Sequence, residues 1–413
     1  MTSETTIQAI EAFVGLVTAA GLVGLIVRRL AIPYTVALVV LGLVAGVLLP
    51  FDLEVSPELV LLVLLPGLVF EASLRIDVDD FRRMFLGVAL LAAPGVLVSA
   101  AIVAGVLYVA MGLPPELGFV VGAMVAATDP VAVVSTFRQL GSPRRLATLI
   151  ESESLLNDGT AIVLFVLAVK AVLGPVDPLG AVASIVTTVV VSTAIGLVAG
   201  YVASRLIATV DDHLIELTLS VAAAYGTYVV ADRLGQSGII ATVVAGLMVG
   251  DHARRFGMGR RSLEALDTVW EFFAFLLTAL VFLLIGLAIS VPDLVGSLPW
   301  IAWGVVAIIV GRAIVVYGML GGASRLFRGP GHHDRLPMAW LHVLFWGGLR
   351  GAVAIAMALS LPVDVPQRAL LQETTFGIVL FTLLVQGTTV EWLIERVGAG
   401  RPRTPAVEAA EEP

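Results

Sequence analysis

Thirteen apolar stretches follow one another along the chain, at about residues 7–27, 33–50, 57–74, 84–109, 116–138, 146–171, 179–204, 214–232, 237–250, 266–291, 298–321, 337–361 and 370–394. All but the ninth are 18 to 26 residues long, the length a helix needs to cross a hydrocarbon core about 30 Å thick. A soluble fold has no means of covering so much apolar surface: 59% of the 413 residues are hydrophobic, 14% are charged and the mean hydropathy is +1.02. Backbone in lipid must satisfy its own hydrogen bonds, which leaves helices as the reading for stretches of this length. The expected fold is an all-α polytopic membrane protein with thirteen transmembrane helices, one membrane domain over 1–413 with a short cytoplasmic tail at 397–413.

The chain has no cysteine, so disulfides, thiolate metal ligands and a cysteine nucleophile are excluded. No nucleic-acid motif is present, and a net charge of −8 points to no polyanionic partner. Met1 to Thr6 contain no Lys or Arg, unlike the start of a signal peptide, so the first stretch is read as a retained span.

Basic residues orient the spans. Nineteen of the 24 Lys and Arg follow odd-numbered stretches, as Arg28 and Arg29 follow the first and Arg75, Arg82 and Arg83 the third. Opposite loops are short and acidic or neutral, such as Phe51-Asp52-Leu53-Glu54. The positive-inside rule then places the N-terminus outside and the C-terminus in the cytoplasm, with the cell membrane as the location. Arg312 and Arg350 fall inside spans and each needs a partner; Arg312 and Glu271 are candidates for each other.

Ionisable side chains near the bilayer centre cost roughly 3 kcal/mol each on insertion scales, so those that occur usually mark an ion or proton path. Asp158 lies 13 residues from Arg145 and 12 from Lys170, mid-way along the sixth stretch. Asp129 lies 9 residues before Arg138, and Arg350 lies 13 after Pro337, so three charges from separate stretches share one depth. Ser154 and Asp158 are four apart and share a helix face, as do Glu153 and Asn157 on the adjacent stripe. A hydroxyl with a carboxylate suits a hard cation. A carboxylate with an amide suits a guanidinium, for which Arg350 is the candidate. Glu151, one turn before Ser154, reads either as lining a cytoplasmic funnel or as favouring the helix N-terminus.

Two stretches look interrupted. Pro130 removes a helix N–H and biases Asp129 away from helical angles, freeing backbone around Thr128 to face an ion. The twelfth stretch carries Trp346-Gly347-Gly348-Leu349-Arg350-Gly351, three glycines around a buried Arg. Broken backbone at membrane depth is tolerated where protein covers it or where it lines a cavity, and paired breaks in two halves point to a transporter's midplane site. If the seventh span is a linker, spans one to six and eight to thirteen have opposite orientation. That parity makes two inverted six-helix repeats, with broken helices in corresponding positions.

The stretches Leu65-Pro66-Gly67-Leu68-Val69-Phe70-Glu71-Ala72, Ala127-Thr128-Asp129-Pro130-Val131-Ala132-Val133, Glu153-Ser154-Leu155-Leu156-Asn157-Asp158-Gly159, Ser237-Gly238-Ile239 with Ala245-Gly246-Leu247, and Trp346-Gly347-Gly348-Leu349-Arg350-Gly351-Ala352 together resemble the monovalent cation:proton antiporters. The branch is the prokaryotic sodium/proton exchangers related to the animal ones. The resemblance implies a homodimer in lipid, in which a core subdomain (84–171 and 296–396) moves against a dimerisation subdomain (1–83 and 172–295). It implies that Asp158 binds the cation or the proton by turns, with Ser154, Thr128, Asp129 and Glu71 around the ion and Asp158, Ser154 and Thr128 as its ligands. Asn157, Glu153 and Arg350 would hold the core together. The Asn157–Asp158 pair resembles the electroneutral branch, one cation for one proton. Cation and proton are substrates; no cofactor is implied, and the chain is not expected to be an enzyme.

Several readings stay open in the residues themselves. Asp129 reads as an ion contact or as an acceptor for freed amides. Glu71 reads as a cavity residue or as a snorkelling partner of Arg75. The cargo reads as Na+ first, with K+ or Li+ as alternatives, and a passive cation channel stands as the competing function.

Overall fold

A computed structural model of the chain describes residues 3–27, 33–48, 57–210, 212–253, 255, 259–322 and 336–399, with backbone alone for 3–13, 138–139, 178 and 260–261. Several arginines on which the charge alternation rests (Arg28, Arg29, Arg254, Arg325, Arg328, Arg335, Arg401 and Arg403), the loop at 51–54 and the tail from residue 400 lie outside the described residues. Every regular element among the described residues is helical.

Helix occupies each of the thirteen apolar stretches. The elements are α1 (Ser3–Val27), α2 (Tyr34–Leu48), α3 (Leu65–Arg75), α4 (Val78–Leu90), α5 (Val96–Met111), α6 (Pro115–Ala126), α7 (Val131–Leu140), α8 (Arg144–Leu173), α9 (Pro178–Ile207), α10 (His213–Arg233), α11 (Gly238–His252), α12 (Arg260–Leu287), α13 (Val291–Gly296), α14 (Leu298–Ala313), α15 (Met338–Trp346), α16 (Ala352–Leu359), α17 (Arg368–Phe381) and α18 (Gly387–Arg396). Among the described residues eight helices are long and apolar enough to cross a membrane by length and composition, so the chain is a multi-pass membrane protein. Three shorter apolar helices, Val14–Val27, Tyr34–Leu48 and Gly238–His252, fall below that length.

π-Helical turns at Leu59–Leu64, Leu91–Gly95, Ile314–Leu320 and Thr382–Gln386 extend or join these helices. Two have a proline at hand: Pro94 lies inside the second, and Pro66 follows the first by two residues. Proline cannot donate the i→i−4 bond, and widening the turn is one way to absorb the loss.

Packing separates the helices into two sets. In the first, α3, α9 and α10 surround α11, while α12 packs on α2, α3 and α10. In the second, α5 packs on α6 and α14, α6 on α8 and α17, and α14 on α17. Without water to drive helices together, close approach depends on small residues. On α2 and α12, Gly42 and Gly286 sit backbone to backbone, with no room for a Cβ on either. Contacts between the sets include α8 against α3, α9 and α11, and α12 against α16.

The interruptions fall where the sequence places them. α6 ends at Ala126, Ala127 is extended at φ −58° and ψ 135°, and α7 begins after Pro130. α15 ends at Trp346 and α16 begins after Gly351. The two breaks meet: Asp129 N–H donates to the Leu349 carbonyl at 2.8 Å. Gly351 lies against the Asp129 carboxylate so closely that a Cβ would collide with it. That contact, rather than a special φ, is what excludes a side chain there.

Candidate functional site

α8 carries the polar residues of the site on one long, uninterrupted helix, which fixes their relative positions. Glu153, Ser154, Asn157 and Asp158 are all buried, at 8% exposure or less. The unwound segment Ala127–Pro130 lies across them and is tied down by side chains of α8. Ser154 Oγ donates to the Thr128 carbonyl at 2.5 Å. Asn157 grips Thr128 twice: its Nδ2 donates to Thr128 Oγ1 at 2.7 Å, and its Oδ1 accepts the Thr128 N–H at 3.3 Å. Backbone groups freed by the break are thereby satisfied, as buried polar groups require.

The Asp129 carboxylate accepts the N–H groups of Val131, at 2.9 Å, and of Ala352. These are the first residues of α7 and α16, so one carboxylate caps both half-helices where their dipoles converge. The reading of Asp129 as an acceptor for freed amides is thus realised in the geometry. Its side chain also lines the cavity described below.

The partner of Glu153 differs from the sequence expectation. Arg312 of α14, not Arg350, forks onto it: Nη1 donates to Oε1 at 2.7 Å and Nη2 to Oε2 at 2.9 Å. Nε and Nη2 of Arg312 also donate to the Leu344 carbonyl near the end of α15, at 3.1 and 2.9 Å. Arg312 therefore ties α14, α8 and α15 together, and Gly348 is tight against its guanidinium. Glu271, the other candidate for Arg312, is 3.7 Å from Arg75 instead. The side chain of Arg350 is 97% buried, yet its Nε and Nη1 have no hydrogen-bond partner; its backbone N–H donates to Thr382 Oγ1 at 3.0 Å. Its electrostatic neighbours are Arg312 and Glu153. Asn157 binds Thr128 and Glu153, the latter at 3.1 Å, and no guanidinium.

Asp158 is left over from these pairings, and its Oδ1 is buried without a hydrogen-bond partner. It lines a cavity of about 470 Å³ together with Glu71, Thr128, Asp129, Ser154 and Gly351. The five residues expected around an ion are therefore brought to one cavity. Glu71 is ion-paired to Arg75 and lines the same space. A second cavity, of about 540 Å³, shares Arg75, Val134 and Glu151 with the first and is bounded by Asp77, Asp80 and Arg144. The path from Asp158 thus leads toward the arginine-rich ends of α3, α4 and α8. In the other direction Gly159 is packed against Ile239 and Ile240 of α11, both buried.

Chemically, the space offers carboxylate, hydroxyl and carbonyl oxygens, a hard set suited to alkali cations and protons. Among the described residues no group of three or more His, Cys, Asp or Glu side chains is arranged to hold a metal ion. Sequence reasoning missed Arg312 as the partner of Glu153, and it missed Thr382. The signal for Arg312 was present, as a lone Arg inside a span, but nothing in the sequence said which helix it would face.

Comparison with known proteins agrees with this architecture. Residues 15–396 match the family model described as sodium/hydrogen exchanger, transmembrane. The chain is 40% identical over 371 residues to the Na+/H+ antiporter ApNhaP of Aphanothece halophytica, covering 89% of this chain and 70% of that one. It is 36% identical to the low-affinity Na+/H+ antiporter NhaS1 of Synechocystis sp., covering 88% and 69%. It is 34% identical to the Na+/H+ antiporter NhaH of Halobacillus aidingensis, covering 90% and 94%. These relatives are transporters and not enzymes. The solved structure of the sodium proton antiporter MjNhaP1 from Methanocaldococcus jannaschii superposes with a TM-score of 0.77 over 96% of this chain and all of that one, at 19% identity, so the fold is shared. An apolar helical chain with a buried carboxylate lining its cavity, matched over nearly its whole length, belongs to the transmembrane sodium/hydrogen exchanger family.

Proposed function

We propose that the protein is a secondary antiporter that exchanges Na+ for H+, one for one, by alternating exposure of a site centred on Asp158. The observation that carries the reading is the Asp158 carboxylate, which lines the cavity with its buried Oδ1 unpartnered, while every neighbouring charge except Arg350 is bound to another group. A carboxylate in that position holds a cation or a proton, and occupancy by one excludes the other. Ser154 and Thr128 supply the further oxygens, and Glu71 and Asp129 shape the field around the ion. Selectivity among Na+, Li+ and K+ follows from how closely these oxygens converge, and the relatives' named substrate favours Na+.

In this reading the thirteen helical stretches are thirteen crossings, arranged as two inverted repeats, with the N-terminus outside and the arginine-rich end in the cytoplasm. The second helix set, 84–171 with 296–396, moves as the core against 1–83 with 172–295, which also forms the dimer. The sparse contacts of α8 with α3 and α11 support a sliding surface there.

The test is proton movement in everted membrane vesicles under an imposed pH gradient. Added Na+ collapses the gradient with the wild-type protein, and Asp158→Asn abolishes the response. Exchange retained by Asp158→Asn overturns the assignment. A current that flows without counter-transport would instead identify a channel.

A further inference from the structure

The cavity that Asp158 lines has two walls. One is built by the two helix breaks and α8; the other is built by α2, α3 and α12. The polar groups of the second wall are Tyr34, Glu71, Arg75, Glu271 and Thr278. Four of them are committed to neighbours. Tyr34 donates its hydroxyl to the Ala20 carbonyl at 3.2 Å. Arg75 is paired to Glu71, and its guanidinium lies 3.7 Å from Glu271.

Thr278 differs from the other four. It is 7% exposed, and its hydroxyl makes no hydrogen bond with any of the described residues. A threonine inside a helix commonly donates to the carbonyl four residues back. Thr268, on the same helix, does so to Glu264 at 2.7 Å. Glu271, Ala274, Phe275 and Thr278 recur at helical spacing, so one face of α12 is turned to the cavity and Thr278 belongs to it.

Depth places this hydroxyl opposite the ion site. Glu151 of α8 lines both cavities, and Glu271 of α12 lies against Arg75, which also lines both. Asp158 and Thr278 each follow these mouth residues by seven positions along their helices, about 10 Å further in. A free carboxylate and a free hydroxyl thus look onto one space from opposite walls. A cavity of about 470 Å³ has room for about fifteen waters at roughly 30 Å³ each. A bare Na+ is too small to touch both walls. A cation on Asp158 therefore keeps part of its hydration shell on the side of α12.

We infer that Thr278 is a positioning residue for the transported cation, whose hydroxyl holds a water of the partly hydrated ion while Asp158 holds the ion itself. The inference rests on the reading of Asp158 as the cation site and adds the opposite wall to it. Thr278 comes from the helix set that does not carry Asp158. The contact is made in this arrangement of the sets and given up when one slides against the other. A proton on Asp158 brings no shell, so Thr278 favours the cation over the proton.

The experiment compares wild type with Thr278→Val, which removes the oxygen at nearly constant volume, with Thr278→Ala, and with Thr278→Ser, which keeps it. Na+-driven proton movement is measured in everted vesicles over a range of Na+ concentrations at several pH values. Na+ binding to the purified protein is followed by Na+-dependent protection against heat. Thr278→Val and Thr278→Ala raise KM for Na+ about fivefold, the scale of one neutral hydrogen bond, more than they change the maximal rate. Thr278→Ser keeps the wild-type KM. The rise is the same at every pH, and the pH at which protons begin to compete with Na+ stays where it is. A residue that merely props Asp158 would move it.

A wild-type KM in Thr278→Val overturns the inference. So does a serine variant as impaired as valine, or a shifted pH of competition. If Thr278→Val yields no folded protein, a wild-type KM in Thr278→Ala overturns it alone. Wild-type vesicles that ignore Na+ defeat the antiport reading, while unchanged Na+ protection of the purified valine or alanine variant separately defeats the role of Thr278.

Discussion

Arg312 binds Glu153 through parallel N–H···O bonds and directs its other donors at the Leu344 carbonyl. Removing one partner of such a buried pair leaves the other charge uncompensated, at roughly 3–5 kcal/mol. Arg312→Ala is therefore expected to lower thermal stability in detergent by that order and to reduce the yield of folded protein; an unchanged melting curve would contradict the pairing. Arg312→Lys keeps the charge but not the planar fork, and its loss should be smaller. The sequence put Arg350 at the depth of Asp129 and Asp158, placed Arg312 inside a span without a depth, and chose Arg350 as the partner of Glu153. Depth is one coordinate of three. Which helices are neighbours, and which way a side chain turns about its axis, comes from tertiary packing that spacing does not encode. Glu271 and Arg312 fail to meet for the same reason.

At the scale of elements, the breaks were legible because their causes are local. Pro130 lacks the N–H a helix needs, and Gly347, Gly348 and Gly351 lower the cost of unwinding. Their mutual contact was not legible, since it depends on α6 and α16 packing together. The π-helical turns without a nearby proline, Ile314–Leu320 and Thr382–Gln386, left no trace in the sequence either. The contact between the breaks makes a definite prediction. Gly351→Ala pushes a methyl group into the Asp129 carboxylate, and overpacking of this kind costs about 1–3 kcal/mol. We expect a lower melting temperature and slowed exchange, because the caps of α7 and α16 are disturbed together. Wild-type stability and rate in this variant would show that the crossing has slack.

For the molecule as a whole, the thirteen apolar stretches gave the helical layout, and helix falls in each of them. Which end the cavity faces was beyond sequence, because it depends on how the two helix sets sit against each other. The open path runs from Asp158 past Ser135 and Glu151, while Ile240 is packed on Gly159 at 6% exposure. The natural lack of cysteine allows a direct check, since any introduced thiol is unique. Ser135→Cys is expected to react with a membrane-impermeant thiol reagent applied from the cytoplasmic side, and Ile240→Cys to be protected from that side. Labelling of Ser135→Cys solely from outside would reverse the orientation.

The bond from Ser154 to the Thr128 carbonyl bears on how quickly a cargo ion leaves. Both oxygens are among the ligands proposed for the ion, and in the structure they satisfy each other. If an ion takes both oxygens and turns the hydroxyl away, it forfeits a contact whose net value is about 1 kcal/mol, and its departure lets the pair re-form. The emptied pocket thus keeps its own oxygens paired, without waiting for another guest.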